Sequence, residues 1–277
     1  PIDELRLSWV KACLSFDALQ ADEVINQAFA MSTVETVCFE ILQKGLQQIG
    51  SFWYFNQATV QQEHFATAQA LRRIETLISS APAPTRNQTV LLGCPAGEWH
   101  YFPLLLLALL LRRRGVNVVY LGPNLPLEQM EAPAATVRPD LIVLASQQLP
   151  TAAALQAAAR LFQQAGVLMA YGGLIFNRLP GLRARIPAYF LGETLEDSID
   201  HIEELLATPI AKPSMLSLEN PYQNTSALFR GHRAAIEARL AKLLANWPEL
   251  PEANLDTVNT FFTDDIQAAL DLGDPRL

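Results

Sequence analysis

Cysteine, basic residues and long apolar runs are all scarce in this chain of 277 residues. The cysteines Cys13, Cys38 and Cys94 are odd in number, widely spaced and set in apolar segments. A disulfide framework or a zinc site needs paired or clustered cysteines, so we expect buried thiols in a reducing compartment instead. The longest apolar run, residues 102–111, is about half as long as a segment that spans a bilayer, which predicts a buried helix.

The shortage of basic residues argues against a nucleic-acid surface. The chain carries 28 Asp and Glu against 20 Lys and Arg, so its formal net charge is -8. The one basic run, residues 112–114, follows the apolar segment, where cations complement the dipole of a helix that ends there. The first residues carry acids and no apolar core, so we expect no signal peptide there. We therefore expect a cytoplasmic protein with no membrane partner and no direct nucleic-acid binding by these residues.

Apolar residues are abundant, at 50% of the chain, and predict a globular protein with large cores. Residues 1–80 show the three- and four-residue spacing of amphipathic helices. Asp17 suits a turn or a helix cap, and Ser32 followed by Glu35 matches a capping box. Four helices with short connections predict an antiparallel four-helix bundle. Such a bundle is also compatible with a simple packing or dimerisation unit.

A proline-containing linker, residues 79–86, separates this bundle from a second domain at 87–207. Apolar strands alternate there with helices, which predicts a doubly wound, Rossmann-like α/β domain with a parallel sheet. The predicted strands are 89–94, 116–121, 141–145, 167–171 and 188–191, and the predicted helices are 103–114, 126–136, 151–165, 176–185 and 194–206. Sheets of this class bind ligands beyond the carboxyl ends of their strands.

Residues 208–277 form a helical C-terminal extension that does not follow the α/β pattern. A connector rich in Pro, Ser and Asn, residues 208–224, precedes predicted helices at 227–247 and 255–272. Amphipathic helices in such a position usually pack on their own protein or on a second copy, so a homo-oligomer is one expectation. A separate ligand site in the extension is the alternative.

The loop after the first predicted strand holds the strongest candidate for a metal ligand. His100 follows the strand, and Glu98 lies two residues before it. A carboxylate at this spacing can orient a ligating imidazole through its second nitrogen. The alternative is a polar histidine in an ordinary strand-to-helix loop. After the fourth strand, Gly172 and Gly173 lack β-carbons, which lets a ligand approach the backbone.

Glu98-x-His100, a serine after the third strand and the Gly172-Gly173 pair together resemble the cobalamin-binding fold. The resemblance implies that His100 replaces the benzimidazole base of cobalamin as the lower axial ligand of cobalt. Glu98 would orient that histidine, and Ser146 would place its hydroxyl beside the displaced nucleotide tail. The chain departs from the family pattern at Pro103, where the signature has glycine.

The helical region carries a second resemblance. Trp53, followed after nine residues by Glu63-His64, is similar to the cap of light-sensing, adenosylcobalamin-dependent transcriptional regulators of the MerR type. This implies that Trp53, Glu63 and His64 cover the upper face of the corrin and enclose the adenosyl group. Tyr54 stands where that family has a histidine, and the basic DNA-binding segment of the family is not among residues 1–277. We therefore expect a sensor module that is part of a longer regulator or acts through a partner.

The predicted function is that of a sensor and not of an enzyme, with no catalytic residues assigned. Adenosylcobalamin would bind between the bundle and the α/β domain with His100 on the metal, and light-driven cleavage of the cobalt-carbon bond would change the conformation. One alternative is the corrinoid carrier module of a methyltransferase. Another is a sensor that binds a different tetrapyrrole, haem or a bilin, either in this site or as a second chromophore in the extension.

Overall fold

The structure is a computed structural model that describes residues 2–126, 130–207, 220–244 and 255–274. Its contacts divide the chain into two compact units. The helical unit comprises Pro1–Asn87 and Phe102–Val118, and the α/β unit comprises Gln88–Tyr101 and Val119–Leu277. The division differs from the boundary in the sequence pattern, because the apolar helix that follows His100 belongs to the helical unit.

Helices α1 to α6 build the helical unit. They are α1 (Ile2–Leu14), α2 (Ala18–Met31), α3 (Val34–Val37), α4 (Lys44–Tyr54), α5 (Val60–Ser79) and α6 (Phe102–Arg113), with a π-helical turn at Cys38–Gln43 that joins α3 to α4. Helix α1 packs on α2, α4 and α5, and α5 packs on α6. The buried Trp9 ring lies against Gly45, where a β-carbon would come within 2.7 Å of the ring. Glycine therefore sets the close approach of α1 and α4.

The N-cap of α2 agrees with the sequence prediction, whereas the N-cap of α3 differs from it. Asp17 is the N-cap of α2 and accepts a hydrogen bond from the Gln20 amide at 2.9 Å. The capping box predicted at Ser32 is wrong, because Ser32 is the C-cap of α2 and Thr33 caps α3. Glu35 pairs instead with Arg113 at 2.9 Å, so this cation of the basic run stabilises the helical unit.

The α/β unit has a five-stranded sheet in the order β2-β1-β3-β4-β5. The strands are β1 (Thr89–Gly93), β2 (Asn117–Tyr120), β3 (Leu141–Ala145), β4 (Met169–Gly172) and β5 (Tyr189–Phe190). The pairs β1–β3, β3–β4 and β4–β5 are parallel. The fold class is confirmed: a helical region precedes a parallel-sheet α/β domain that carries extra C-terminal helices. In this strand order the switch point lies between β1 and β3, which is where such sheets bind ligands.

Four helices accompany the sheet: α7 (Glu131–Val137), α8 (Leu149–Gln164), α9 (Leu174–Arg178) and α10 (Leu195–Ala207). The helix predicted at 176–185 is wrong in type, because α9 ends at Arg178 and a 3-10 helix follows at Pro180–Arg185. Proline at the start of that second segment explains the break. The predicted helix at 126–136 lies partly outside the described residues.

The extension contains α11 (Gln223–Leu244) and α12 (Leu255–Leu272), which pack on each other. Helix α12 also packs on α8. Of the connector predicted at 208–224, residues 208–219 lie outside the described residues, and its last two residues already belong to α11. Across the described part of the chain, every helix is either too short or too polar to cross a bilayer.

Candidate functional site

The side chain of Glu98 is fully buried at the carboxyl end of β1 and receives hydrogen bonds on both oxygens. Its Oε1 lies 2.9 Å from the backbone N of His100 and 2.8 Å from His100 Nδ1. Its Oε2 accepts from the backbone N of Gln147 and from the Thr151 hydroxyl, each at 2.7 Å. The carboxylate therefore links the loop after β1 to the loop after β3 and to the first turn of α8.

These hydrogen bonds explain how an acid is accommodated at a fully buried position. Burial alone would raise the pKa of the Glu98 carboxyl, since it disfavours the charged form. Hydrogen bonds from His100, Gln147 and Thr151 stabilise the carboxylate and outweigh burial, so the pKa falls below its ordinary value of 4.5. Glu98 is thus an anion at neutral pH.

His100 has one ring nitrogen fixed by this anion, while its side chain remains 59% exposed. Contact between Nδ1 and Glu98 favours the tautomer that carries its proton on Nδ1, which leaves Nε2 with the lone pair that a metal requires. Within the described ranges, no group of three or more His, Cys, Asp and Glu side chains is arranged to hold a metal ion. One imidazole suits a metal whose other positions are filled by its own macrocycle.

Ser146 is also fully buried at the end of β3. Its hydroxyl donates to the backbone oxygen of Thr151 at 2.9 Å, and its backbone N donates to the Gly172 oxygen at 3.1 Å. The hydroxyl proton is therefore used within the loop, and an oxygen lone pair is what Ser146 could offer a ligand. Its predicted place beside a nucleotide tail stays a prediction.

Gly172, the last residue of β4, and Gly173, which follows it, differ in their surroundings. Gly173 has a φ of +125°, and a β-carbon there would lie 1.9 Å from the Ser146 carbonyl oxygen. A β-carbon on Gly172 would meet nothing within 4 Å. The next residue, Leu174, donates its backbone N to the side-chain oxygen of Gln147 at 2.9 Å. Gly173 is thus required by the fold, whereas Gly172 borders open space that a ligand can fill.

In the helical unit, the three predicted cap residues lie on either side of the short loop that joins α4 to α5. Trp53, in the last turn of α4, is 49% exposed. Glu63 and His64 lie in the first turn of α5, with Glu63 Oε2 2.9 Å from His64 Nδ1. The Thr67 hydroxyl donates to the other Glu63 oxygen at 2.9 Å, and the His64 side chain is 74% exposed.

The start of α5 is firmly held, which fixes the backbone that carries Glu63 and His64. Thr59 and Gln62 form a capping box, and the Gln62 side chain also donates to the Leu14 backbone oxygen at 2.6 Å. Phe65 packs edge-on against Phe16 with ring centroids 5.4 Å apart. Neither the capping box nor this ring contact is recognisable from the family signature.

Sequence patterns identified Glu98 and His100 but missed three residues that support them. Thr151 and Gln147 donate to Glu98, and Asn124 accepts from the Gly97 backbone N at 2.8 Å through its side-chain oxygen. A usable signal existed for Thr151, which is a hydroxyl residue in the first turn of the helix that follows β3.

Comparison with protein families identifies both units. Two family models, each described as B12 binding domain, match residues 7–78 and 88–196. The first covers most of helices α1 to α5, and the second covers the sheet with the Glu98–His100 loop.

Two curated relatives from Myxococcus xanthus are transcriptional repressors of the HTH type. CarA is 35% identical over 136 residues, which is 47% of this chain and 44% of that protein. CarH is 30% identical over 141 residues, which is 51% of this chain and 47% of that protein. The chain thus spans less than half the length of either relative.

Among solved structures, the monomethylamine corrinoid protein of Methanosarcina barkeri shares the fold with a TM-score of 0.59. The match covers 73% of this chain and 97% of that one at 16% sequence identity. At this identity the match shows a shared fold, while the two domain matches show the B12 binding domains. The chain therefore carries a helical B12 binding domain at residues 7–78 followed by an α/β B12 binding domain at residues 88–196.

Proposed function

We propose that this chain is a sensor module that binds adenosylcobalamin with His100 on the cobalt and changes conformation when light removes the adenosyl group. Its output is the regulation of transcription, either directly in a longer regulator or through a partner protein. The observation that carries the proposal is the Glu98–His100 pair at the switch point of the sheet, anchored by Thr151 and Gln147.

The residues of this loop fit a corrinoid. His100 presents a half-exposed imidazole whose Nδ1 is held by the buried Glu98 carboxylate. Such a pairing makes Nε2 a stronger ligand for a metal ion. Gly172 lies beside open space that a β-carbon would narrow. Bound adenosylcobalamin would supply a cobalt-carbon bond that light cleaves. His100 would hold the lower face, and Glu98 would keep its ring from rotating.

The upper face is assigned on resemblance alone. Trp53, Glu63 and His64 match the cap of the light-sensing regulators in type and spacing. The Glu63–His64 contact and the half-exposed Trp53 ring support a cap that can contact a polar, planar adenosyl group. Loss of the adenosyl group would remove contacts that favour one conformation of the protein over another. The equilibrium between the two conformations would then shift.

The test is an absorption spectrum of the purified protein with adenosylcobalamin, recorded in the dark and after green light. In the dark we expect the spectrum of cobalamin in which His100 has replaced the benzimidazole base. Illumination should change that spectrum irreversibly. His100→Ala should bind with water in place of imidazole, and its spectrum should show that exchange. An unchanged spectrum in His100→Ala would contradict the axial-ligand assignment. A light-insensitive wild-type complex would contradict sensing.

A corrinoid carrier for a methyltransferase is the second candidate, and the fold shared with the monomethylamine corrinoid protein favours it. The exposed Trp53 and the Glu63–His64 pair are bulkier than a methyl group needs. Trp53→Ala separates the two functions. A sensor should lose its preference for adenosylcobalamin over methylcobalamin, whereas a methyl carrier should bind both forms as before.

A further inference from the structure

Helix α12 carries one apolar stripe that is covered at one end and bare at the other. The stripe recurs at three- and four-residue spacing, so all its members lie on one face of the helix. Its carboxyl half, Ala268, Ala269 and Leu272, is buried on the side where α12 packs on α8. Its amino half, Val258, Phe261 and Phe262, is 42%, 60% and 56% exposed. We call Val258, Phe261, Phe262 and Asp265 the bare end of α12.

This bare end is not the surface that meets α11. The opposite face of α12 makes those contacts: Asn259 donates to the Glu237 backbone oxygen at 2.7 Å, and the Thr263 hydroxyl donates to the Glu237 carboxylate at 2.7 Å. Two adjacent phenylalanines more than half exposed form an apolar patch of the kind that marks interaction sites.

Helix α11 has a complementary unpartnered face. Leu228 and Leu243 are 62% and 63% exposed, and Ala235 and Arg239 between them are exposed as well. At 100° per residue, these four positions lie roughly opposite Arg233 and Glu237, which face α12. We call Leu228, Ala235, Arg239 and Leu243 the outer face of α11.

The two surfaces carry opposite charge that is not used within the hairpin. Arg230 and Arg233 of α11 are paired with Asp271 and Asp264 of α12. Neither Arg239 on the outer face nor Asp265 on the bare end has an ion-pair partner within the described residues. Residues 257–272 contain three aspartates and no Lys or Arg, whereas α11 contains four basic residues and one acid.

Burial and the negative charge of the neighbouring Asp264 raise the pKa of Asp265. A cation brought by another surface would stabilise its ionised form, and the outer face of α11 offers one beside apolar side chains. Because both complementary surfaces are on the same chain, a second copy supplies the match for either surface.

We propose that two copies of this chain pair through their C-terminal hairpins, the outer face of α11 in one copy covering the bare end of α12 in the other. Arg239 lies opposite Asp265 of the partner subunit. Because the two surfaces face away from each other on one hairpin, the contact is head-to-tail and each copy can bind a further copy. Phe261 and Phe262 supply the apolar centre, and the charge pair sets the orientation.

Charge reversal in the full chain tests the pairing by sedimentation equilibrium. The wild type should show concentration-dependent association, with a dimer as its first step. Arg239→Asp and Asp265→Arg should each weaken dimerisation by about tenfold or more, because each places like charges together. The double variant should recover to within about threefold of the wild type. Glu23→Arg, at an exposed site on α2, changes the net charge as Asp265→Arg does and should leave the dimer unaffected.

Cross-linking gives an independent measurement. The three native cysteines are buried, so mixing Arg239→Cys protein with Asp265→Cys protein under oxidising conditions should form a disulfide-linked pair of different copies. Corrinoid binding measured in parallel separates this proposal from the sensor function, since neither position belongs to the site. A wild type that stays monomeric at its highest soluble concentration, or a double variant without recovery, overturns the pairing.

Discussion

Glu98 Oε2 lies 2.7 Å from the Thr151 hydroxyl, a hydrogen bond that joins positions 53 residues apart in the chain. Thr151→Val keeps the shape of the side chain but removes this donor from a buried anion. We expect a loss of about 1–3 kcal/mol in the free energy of unfolding, measured by urea titration. Thr151→Ser keeps the donor and should lose much less. A Thr151→Val protein as stable as the wild type, or a larger loss in Thr151→Ser than in Thr151→Val, would contradict the role of the hydroxyl.

Alanine substitution at two adjacent glycines should change the stability of the protein by very different amounts. Gly173→Ala places a β-carbon 1.9 Å from the Ser146 oxygen at a φ of +125°. We expect it to lower the free energy of unfolding by about 2–4 kcal/mol. Gly172→Ala meets nothing within 4 Å and should stay within about 0.5 kcal/mol of the wild type.

Corrinoid titration of the Gly172→Ala protein then tests the ligand role of the open space. A folded variant with weaker binding supports close approach of the ligand to Gly172. Unchanged affinity would show that the ligand does not reach this glycine.

A second glycine pair tests the contact between α1 and α4. Gly45→Ala brings a β-carbon within 2.7 Å of the buried Trp9 ring and should destabilise the protein by about 1–3 kcal/mol. Gly50, in the same helix, has no atom within 4 Å of the corresponding position. Gly50→Ala should instead stabilise by about 0.5–1 kcal/mol, because alanine has the higher helix propensity. Thermal unfolding followed by circular dichroism measures both, and a shift of the same sign in both variants would contradict the steric account.

Burial raises the pKa of Cys13, Cys38 and Cys94 to about 12 from the ordinary value of 9.0. The thiolate is the reactive form, so the native protein at pH 8 should react negligibly with a disulfide reagent and the urea-unfolded protein should titrate three thiols. Rapid reaction of one thiol in the native state would show that its segment opens.

The same pKa values predict how stability depends on alkaline pH. Between pH 9 and 12 the unfolded chain loses thiol protons that the folded chain keeps, so the free energy of unfolding should fall as pH rises. Cys38→Ala removes one such group and should make the fall shallower. Urea titrations at several alkaline pH values measure the slope, and an equal slope in the variant would contradict this assignment.

The sheet could be predicted because its strands are apolar runs broken by turn residues, and Leu141–Ala145 matches the predicted strand at both ends. Glu98 and His100 could be identified because they are two residues apart. Thr151 could be recognised only as a hydroxyl residue at the start of a helix, since its contact with Glu98 depends on β3 lying next to β1. Thr33 displaced Ser32 as a cap because two neighbouring hydroxyl residues compete for the same role, and sequence spacing does not decide between them.

Helix α6 follows His100 by two residues, yet it packs on α5 and belongs to the helical unit. Residues 79–86 are therefore not a boundary at which the two units could be exchanged between homologous proteins. A chimaera spliced there would combine α5 from one parent with α6 from another, leaving nine buried positions of α6 to match a foreign surface. In such recombinants, compatibility would be decided by the α5–α6 packing before any ligand is bound. A viable exchange would have to carry residues 102–118 along with the first 87.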